Sequence, residues 1–234
     1  MGYNYTTYVA ALKTMMVSTD PDTAFDTILP SIIDFAEQRI YRELDLLSTV
    51  VSDASTALTQ STRSATISSS FVAVNSISVL TPAGTTTGNG TRVSLTPVSR
   101  EVLDILWPGS SVTGVPEMFA MTTQWAIAVG PSPDGAYTLE VIGTQRPAPL
   151  SVSNPNTFLT DRLPDLFMAA SMIFASGYMR NFGTMSSDPQ MGQSWEQEYE
   201  KLLASANTEE LRKHFWAASW SSRPVSPAAV PQRG

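Results

Sequence analysis

No cysteine and a single histidine occur among the 234 residues, and only 15% of the side chains are charged. The missing cysteines exclude a disulfide framework and a thiolate zinc site, and the lone His214 excludes a multi-histidine metal centre. Basic side chains are scarce as well, 14 against 21 acidic for a net charge of −7. A general nucleic-acid binder, which presents a basic face, is therefore not expected. Long hydrophobic runs are absent too. The most apolar stretch, Leu166 to Met179, is closed by Asp165 and Arg180 at 14 residues, against about 20 needed to cross a bilayer. No basic segment precedes an apolar core near the N-terminus, so a secretory signal is not expected, and the sequons at Asn4 and Asn89 carry little weight.

Apolar residues make up 42% of the chain, enough for a sizeable core, and the length suits one or two domains. Hydroxyls replace charge: 29 Ser and 26 Thr are almost a quarter of the chain. They are unevenly spread, and three regimes follow from this.

Residues 1–47 read as helical. Ile33, Ala36, Ile40, Leu44 and Leu47 recur at steps of three and four, which places them on one helix face over Ser31 to Leu47. Arg39 and Glu43 can pair one turn apart on the wet side. Pro30 either starts this helix or kinks a longer one beginning near Thr23. A shorter helix is expected over Thr7 to Met16.

Residues 48–156 read as β-rich. Between Ser48 and Ser99, 23 of 52 residues are Ser or Thr, and the only charges are Asp53, Arg63 and Arg92. Strands are expected at Ser64–Ser68, Phe71–Leu80, Trp125–Val129 and Tyr137–Thr144. The last two flank Gly130 to Gly135, a turn-rich segment that predicts a hairpin, with Trp125 in the sheet core. Leu80 to Thr91 reads as a flexible loop. Ser99 to Leu106 reads as one short helix, capped by Ser99 and stopped by Pro108.

Residues 157–220 read as helical again. Leu166 to Met179 is a buried core helix whose small residues Ala169, Ala170, Ala175 and Gly177 admit neighbours, the Ile33 stripe among them. Asp188 and Pro189 open an amphipathic helix carrying Met191, Trp195, Tyr199 and Leu202, and Thr208 to Trp220 forms a last helix. The ending, 221–234, holds three prolines and no period, so it is read as an extended tail. Residues 211–234 sum to +4, from Arg212, Lys213, Arg223 and Arg233, while residues 1–210 sum to −11.

Signatures of catalysis are poor. His214 reads as a surface polar residue, and Gly88 to Val93 lacks the dinucleotide-binding pattern and reads as a turn. Asp20, Asp22, Asp161 and Asp165 read as helix-cap residues, and Glu196, Glu198 and Glu200 as a solvated run. No catalytic, metal or cofactor site is expected. Tyr3, Tyr5, Tyr8, Trp216 and Trp220 suit either core packing or a subunit contact, and the contact is the reading preferred.

Several blocks, taken together and in this order, resemble one family. They are Thr27-Ile-Leu-Pro-Ser-Ile-Ile-Asp-Phe-Ala-Glu-Gln-Arg-Ile-Tyr-Arg-Glu-Leu44, Thr96-Pro-Val-Ser-Arg-Glu101, Val141-Ile-Gly-Thr-Gln-Arg-Pro147, Leu163-Pro-Asp-Leu-Phe167 and Gln193-Ser-Trp-Glu-Gln-Glu-Tyr199. The chain is similar, from Tyr3 to Trp220, to the adaptor or neck proteins of tailed bacteriophages, also called head-to-tail connectors. The resemblance implies an α+β fold in which N- and C-terminal helices form a bundle carrying a β-rich insertion, followed by the extended C-terminal tail. It implies a homo-oligomeric ring, typically of twelve copies, beneath the phage portal protein, contacting a downstream neck or tail protein and passing DNA through its lumen without sequence-specific binding. No enzymatic activity, cofactor or membrane is implied, and the setting is the virion, after assembly in the host cytoplasm.

In such adaptors the C-terminal segment commonly docks on the portal. The candidate docking residues are therefore Arg212, Lys213, Trp216, Trp220, Arg223, Pro224, Val225, Pro227, Val230, Pro231 and Arg233. The competing readings are a tail-completion or stopper protein lower in the neck, a glycan-directed carboxylate hydrolase, and a carbohydrate-binding module.

Overall fold

The computed structural model describes residues 2–16, 23–179 and 189–217. The chain divides into two compact units, a helical one from residues 1–47 and 149–234 and a β-rich one from residues 48–148. The class is α+β, as expected.

In the helical unit, α1 (Tyr5–Met15) is opened by a capping box between Asn4 and Thr7, which satisfies two backbone donors that the first turn leaves free. Helix α2 (Thr23–Glu43) is continuous through Pro30, so the longer of the two readings holds. It ends at Glu43, earlier than expected, and Leu44 and Leu46 enter the core from outside it. Short α4 (Phe158–Arg162), with its capping box between Thr157 and Thr160, leads into α5 (Pro164–Met179). Helix α5 is buried by α2 and α6 (Pro189–Ala217), and Phe167, Ala170, Met172 and Ala175 lie fully inside. The separate last helix expected from Thr208 does not exist: α6 runs unbroken, and the Thr208 hydroxyl donates to the Ala204 carbonyl within it. The expected cap Asp188, with Asp20 and Asp22, lies outside the described residues.

The β unit contains a 3₁₀ turn at its entry (Leu47–Thr49), then β1 (Val50–Asp53), β2 (Ser64–Thr66), β3 (Phe71–Thr81), β4 (Thr91–Ser94), β5 (Thr96–Pro97), α3 (Arg100–Leu106), β6 (Thr113–Gly114), β7 (Met118–Thr123), β8 (Ala126–Gly130), β9 (Ser132–Pro133) and β10 (Thr138–Gln145). One sheet has the order β1-β10-β3-β4 and is antiparallel; a second has the order β2-β8-β7-β5, with β5 parallel to β7; β6 and β9 form a small parallel pair. Ile77, Val79, Leu139 and Val141 of the first sheet meet Phe119, Ile127 and Val129 of the second in one core, the packing of a sandwich.

That arrangement corrects the expected hairpin. Strands β8 and β10 belong to different sheets, and the segment between them crosses the sandwich, with β9 pairing to β6. Two apolar runs joined by a turn satisfy their cores equally well by facing each other as by pairing. The segment read as a flexible loop is the connection of the β3–β4 hairpin, with Thr81 opposite Thr91. Helix α3 has Ser99 as its N-cap, as expected, and packs Leu103 on Ala120 and Ala128, the outer side of the second sheet. Ala128 is therefore covered while Ile127 and Val129 face the core, which is why β8 is buried on both faces.

Candidate docking surface

Helix α6 has two dissimilar faces. Partly buried Trp195, Leu202 and Leu203, with buried Tyr199, Ala206 and Glu210, follow one another at helical spacing and pack inward. Glu210 accepts from the Leu47 amide at 3.1 Å and from Lys213 Nζ at 2.6 Å, and Lys213 also reaches Glu209 at 2.7 Å. The lysine beside it holds the Glu209 carboxyl below the usual carboxylate range. His214 Nε2 donates to the Asp45 carbonyl at 2.9 Å, a bond within the helical unit that fits its reading as a polar residue of the fold.

Away from that stripe, Leu211, Phe215 and Trp216 are 62%, 73% and 86% exposed. Leu211 and Phe215 are one turn apart, so they share a face. Three large apolar side chains turned to water on one helix end are informative, because a buried contact is what such groups gain from. Of the predicted docking residues, Arg212 and Trp216 are exposed here, and Lys213 is engaged by two glutamates of its own helix. Trp220, Arg223, Pro224, Val225, Pro227, Val230, Pro231 and Arg233 lie outside the described residues. Leu211 and Phe215 escaped the sequence reading, although their four-residue spacing opposite Ala206 and Glu210 was a usable signal.

A second exposed apolar face lies in the β unit. Val102, Ile105 and Leu106 of α3 point away from Leu103 and remain open, with Ile105 at 78%. Asp104 receives both Arg100 and Arg63, at 2.8 and 3.1 Å, and these two guanidinium groups hold its carboxyl below the usual range. This face was also missed, since Ser99 to Leu106 was read for its cap and not for what it leaves uncovered.

Other candidates resolve differently. Tyr8, expected at a subunit contact, is buried: its ring stacks on Phe167 at 4.5 Å, Tyr3 meets it edge-on, and its hydroxyl bonds Ser171 at 2.7 Å. Tyr3 and Tyr5 are half-buried against the same core. Glu196 is not part of a solvated run. It takes both Arg39 guanidinium nitrogens, Nη1 at 2.9 Å, and Arg39 lies over the Tyr199 ring while also meeting Glu43 at 3.0 Å. The Arg39 charge holds the Glu196 carboxyl below the usual range. Neither Asp161 nor Asp165 is an N-cap: Asp161 lies inside α4, and Asp165 lies in the first turn of α5, where it accepts from the Leu166 amide. Trp125 is not in the sheet core but 37% exposed before β8, its indole donating to the Phe71 carbonyl. Among the described residues no group of three or more His, Asp or Glu is placed to hold a metal ion, and no helix is long and apolar enough to cross a membrane.

The fold is that of a two-unit α+β protein that leaves apolar side chains open on α3 and at the end of α6. The family model of the SU10 adaptor protein matches residues 3–228, and the chain belongs to that family. It is thereby a phage structural adaptor, consistent with a head-to-tail role in the virion. A comparison with curated proteins finds no match.

Proposed function

We propose that the protein forms a homo-oligomeric ring of twelve copies beneath the portal, joins the head to the next neck or tail protein and extends the DNA channel. The observation that carries the docking part is the open Leu211–Phe215–Trp216 face, which leads directly into the basic, proline-rich sequence ending at Gly234. Apolar anchors next to a basic sequence suit a partner surface that is apolar at its centre and acidic at its rim. Residues 1–47 and 149–220 supply the bundle, 48–148 the β-rich insertion, and 221–234 the tail that orders on the portal. The insertion faces the downstream component, with the Ala83–Asn89 connection as one contact.

The channel carries DNA without holding it, because a chain of net charge −7 offers phosphates little attraction. The role requires no catalysis. It places the protein at the head-to-tail interface of the virion after assembly in the host cytoplasm.

Two variants test the portal contact by co-purification with isolated portal: removal of 221–234, and Phe215→Ser with Trp216→Ser. Loss of binding in both is expected, and undiminished binding in both overturns it. Binding to a preformed adaptor ring but not to portal would favour the stopper reading. Native mass spectrometry with and without portal counts the copies.

A further inference from the structure

The chain leaves the helical unit at Leu47 and re-enters it at 149. At each crossing, a backbone amide donates to a buried carboxylate of a helix. The Leu47 amide reaches Glu210 Oε2 of α6 at 3.1 Å, and the Leu150 amide reaches Glu37 Oε2 of α2 at 3.0 Å. The two acids are 3% and 2% exposed, yet they are supported differently. Glu210 has Lys213 on its other oxygen at 2.6 Å. Glu37 has no ion pair among the described residues, and its Oε1 is buried without a hydrogen-bond partner, as is the hydroxyl of Tyr41 one turn on.

An ionised carboxylate offers only acceptors, so a buried oxygen with no donor aimed at it favours the protonated form, which supplies a donor of its own. The titratable groups facing Glu37 are Tyr8 from α1 and Asp34 and Tyr41 from its own helix, none of them a cation; α5 contributes Ser171 behind Tyr8. Burial pushes the Glu37 carboxyl up to about 7; the Leu150 amide opposes this and Asp34 adds to it.

We propose that Glu210 and Glu37 are two clasps on the two crossings, and that the return clasp is held closed by a proton on Glu37 whereas the exit clasp is held by Lys213. Lifting the return segment lets water reach the carboxylate, so ionisation favours the open form. The clasp then loosens as pH rises through neutrality.

Amide hydrogen exchange on the full chain, corrected for the chemical exchange rate, reads this directly. Protection of the Leu150 amide is expected to fall about tenfold between pH 6 and pH 8 by proton linkage, while Leu47 holds steady. Glu37→Gln, which stays neutral, is expected to keep high protection at both pH values, and Glu210→Gln to weaken Leu47 while leaving the pH response at Leu150. Equal Leu150 protection at the two pH values overturns the proposal. So does a response that persists in Glu37→Gln, or one that Leu47 shares. Because no portal is present, this outcome is independent of the portal-docking test.

Discussion

Arg92 in the β unit and Arg39 in the helical unit each hold a glutamate in two-pronged fashion, but the acids they hold differ. Arg92 reaches across from β4 to Glu140 on β10, at 2.5 and 3.0 Å, and Ser52 of β1 adds a third donor at 3.2 Å. Glu140 is the buried acid of the β unit, and the Arg92 guanidinium holds its carboxyl below the ordinary range. In the helical unit Arg39 serves Glu196 and Glu43, both about one-third exposed, while buried Glu37 goes without a cation. The β unit supplies its buried acid with a counter-charge; the helical unit does so for Glu210, through Lys213, but leaves Glu37 with burial and one backbone amide. Glu37 and Glu140 should therefore respond to pH with opposite sign.

The comparison can be broken by asking whether the cores respond separately. Phe167→Ala removes a fully buried ring stacked on Tyr8 and should cost the helical unit about 3–5 kcal/mol. Exchange protection at Ile77 and Val141 in the β core should be retained in that variant, and a collapse of both sets together would show one cooperative body.

The pH contrast comes next in size. Glu37 has a folded pKa above its unfolded value, so the folded state keeps a proton that the unfolded state releases. Its contribution is fully present below about pH 4.5 and is lost by about pH 7, roughly 3 kcal/mol in all. Glu140 is displaced the other way, so its contribution is present above the ordinary carboxylate range and disappears as pH falls through the depressed folded value. Denaturant midpoints between pH 5 and 7.5 should fall for the wild type and stay level in Glu37→Gln; Glu140→Gln should flatten only the acid side.

Smaller effects sharpen the picture. Ser99→Ala deletes the cap of α3 and should cost the β unit about 1 kcal/mol in urea unfolding. Phe215→Ser, at a side chain open to water in the isolated chain, should change stability by less than about 0.5 kcal/mol while impairing the portal contact. A large loss of stability there would mean that the ring packs within its own unit.

Where local periodicity decides, the sequence reading was accurate. The Ile33–Ile40 stripe, the helix over Leu166–Met179 with its buried residues up to Ala175, and the Ser99 cap all follow from spacing and capping chemistry within one element. Where the outcome depends on which remote element covers a residue, it was not. Turn chemistry at Gly130 to Gly135 is compatible with pairing and with crossing, and only the two-sheet core selects the second. Glu196 looks solvated until α2 brings Arg39 to it, and Tyr8 looks available until Phe167 and Ser171 enclose it. Glu37 is the instructive omission. It lies four residues after Ile33 and three before Ile40, on the apolar side, and an acid on that side signals either a partner or a raised pKa. Membership of the adaptor family agrees with the resemblance drawn from the sequence blocks. Of the proposed docking residues, Arg212, Lys213 and Trp216 fall on α6, and the others lie outside the described residues.

The uninterrupted course of α6 has a mechanical side. Its 29 residues make a rod about 43 Å long, seated in the helical unit from Trp195 to Glu210 and displaying Phe215 and Trp216 near its end. A rod transmits tilt instead of absorbing it. Only the last six residues or so, about 9 Å, extend past the buried Glu210, so a tilt of the rod within its unit is carried to Phe215 and Trp216 undiminished. A partner gripping that tip has leverage on the bundle, and a glycine placed near Ser205 would act as a slack joint, leaving both ends intact while uncoupling them.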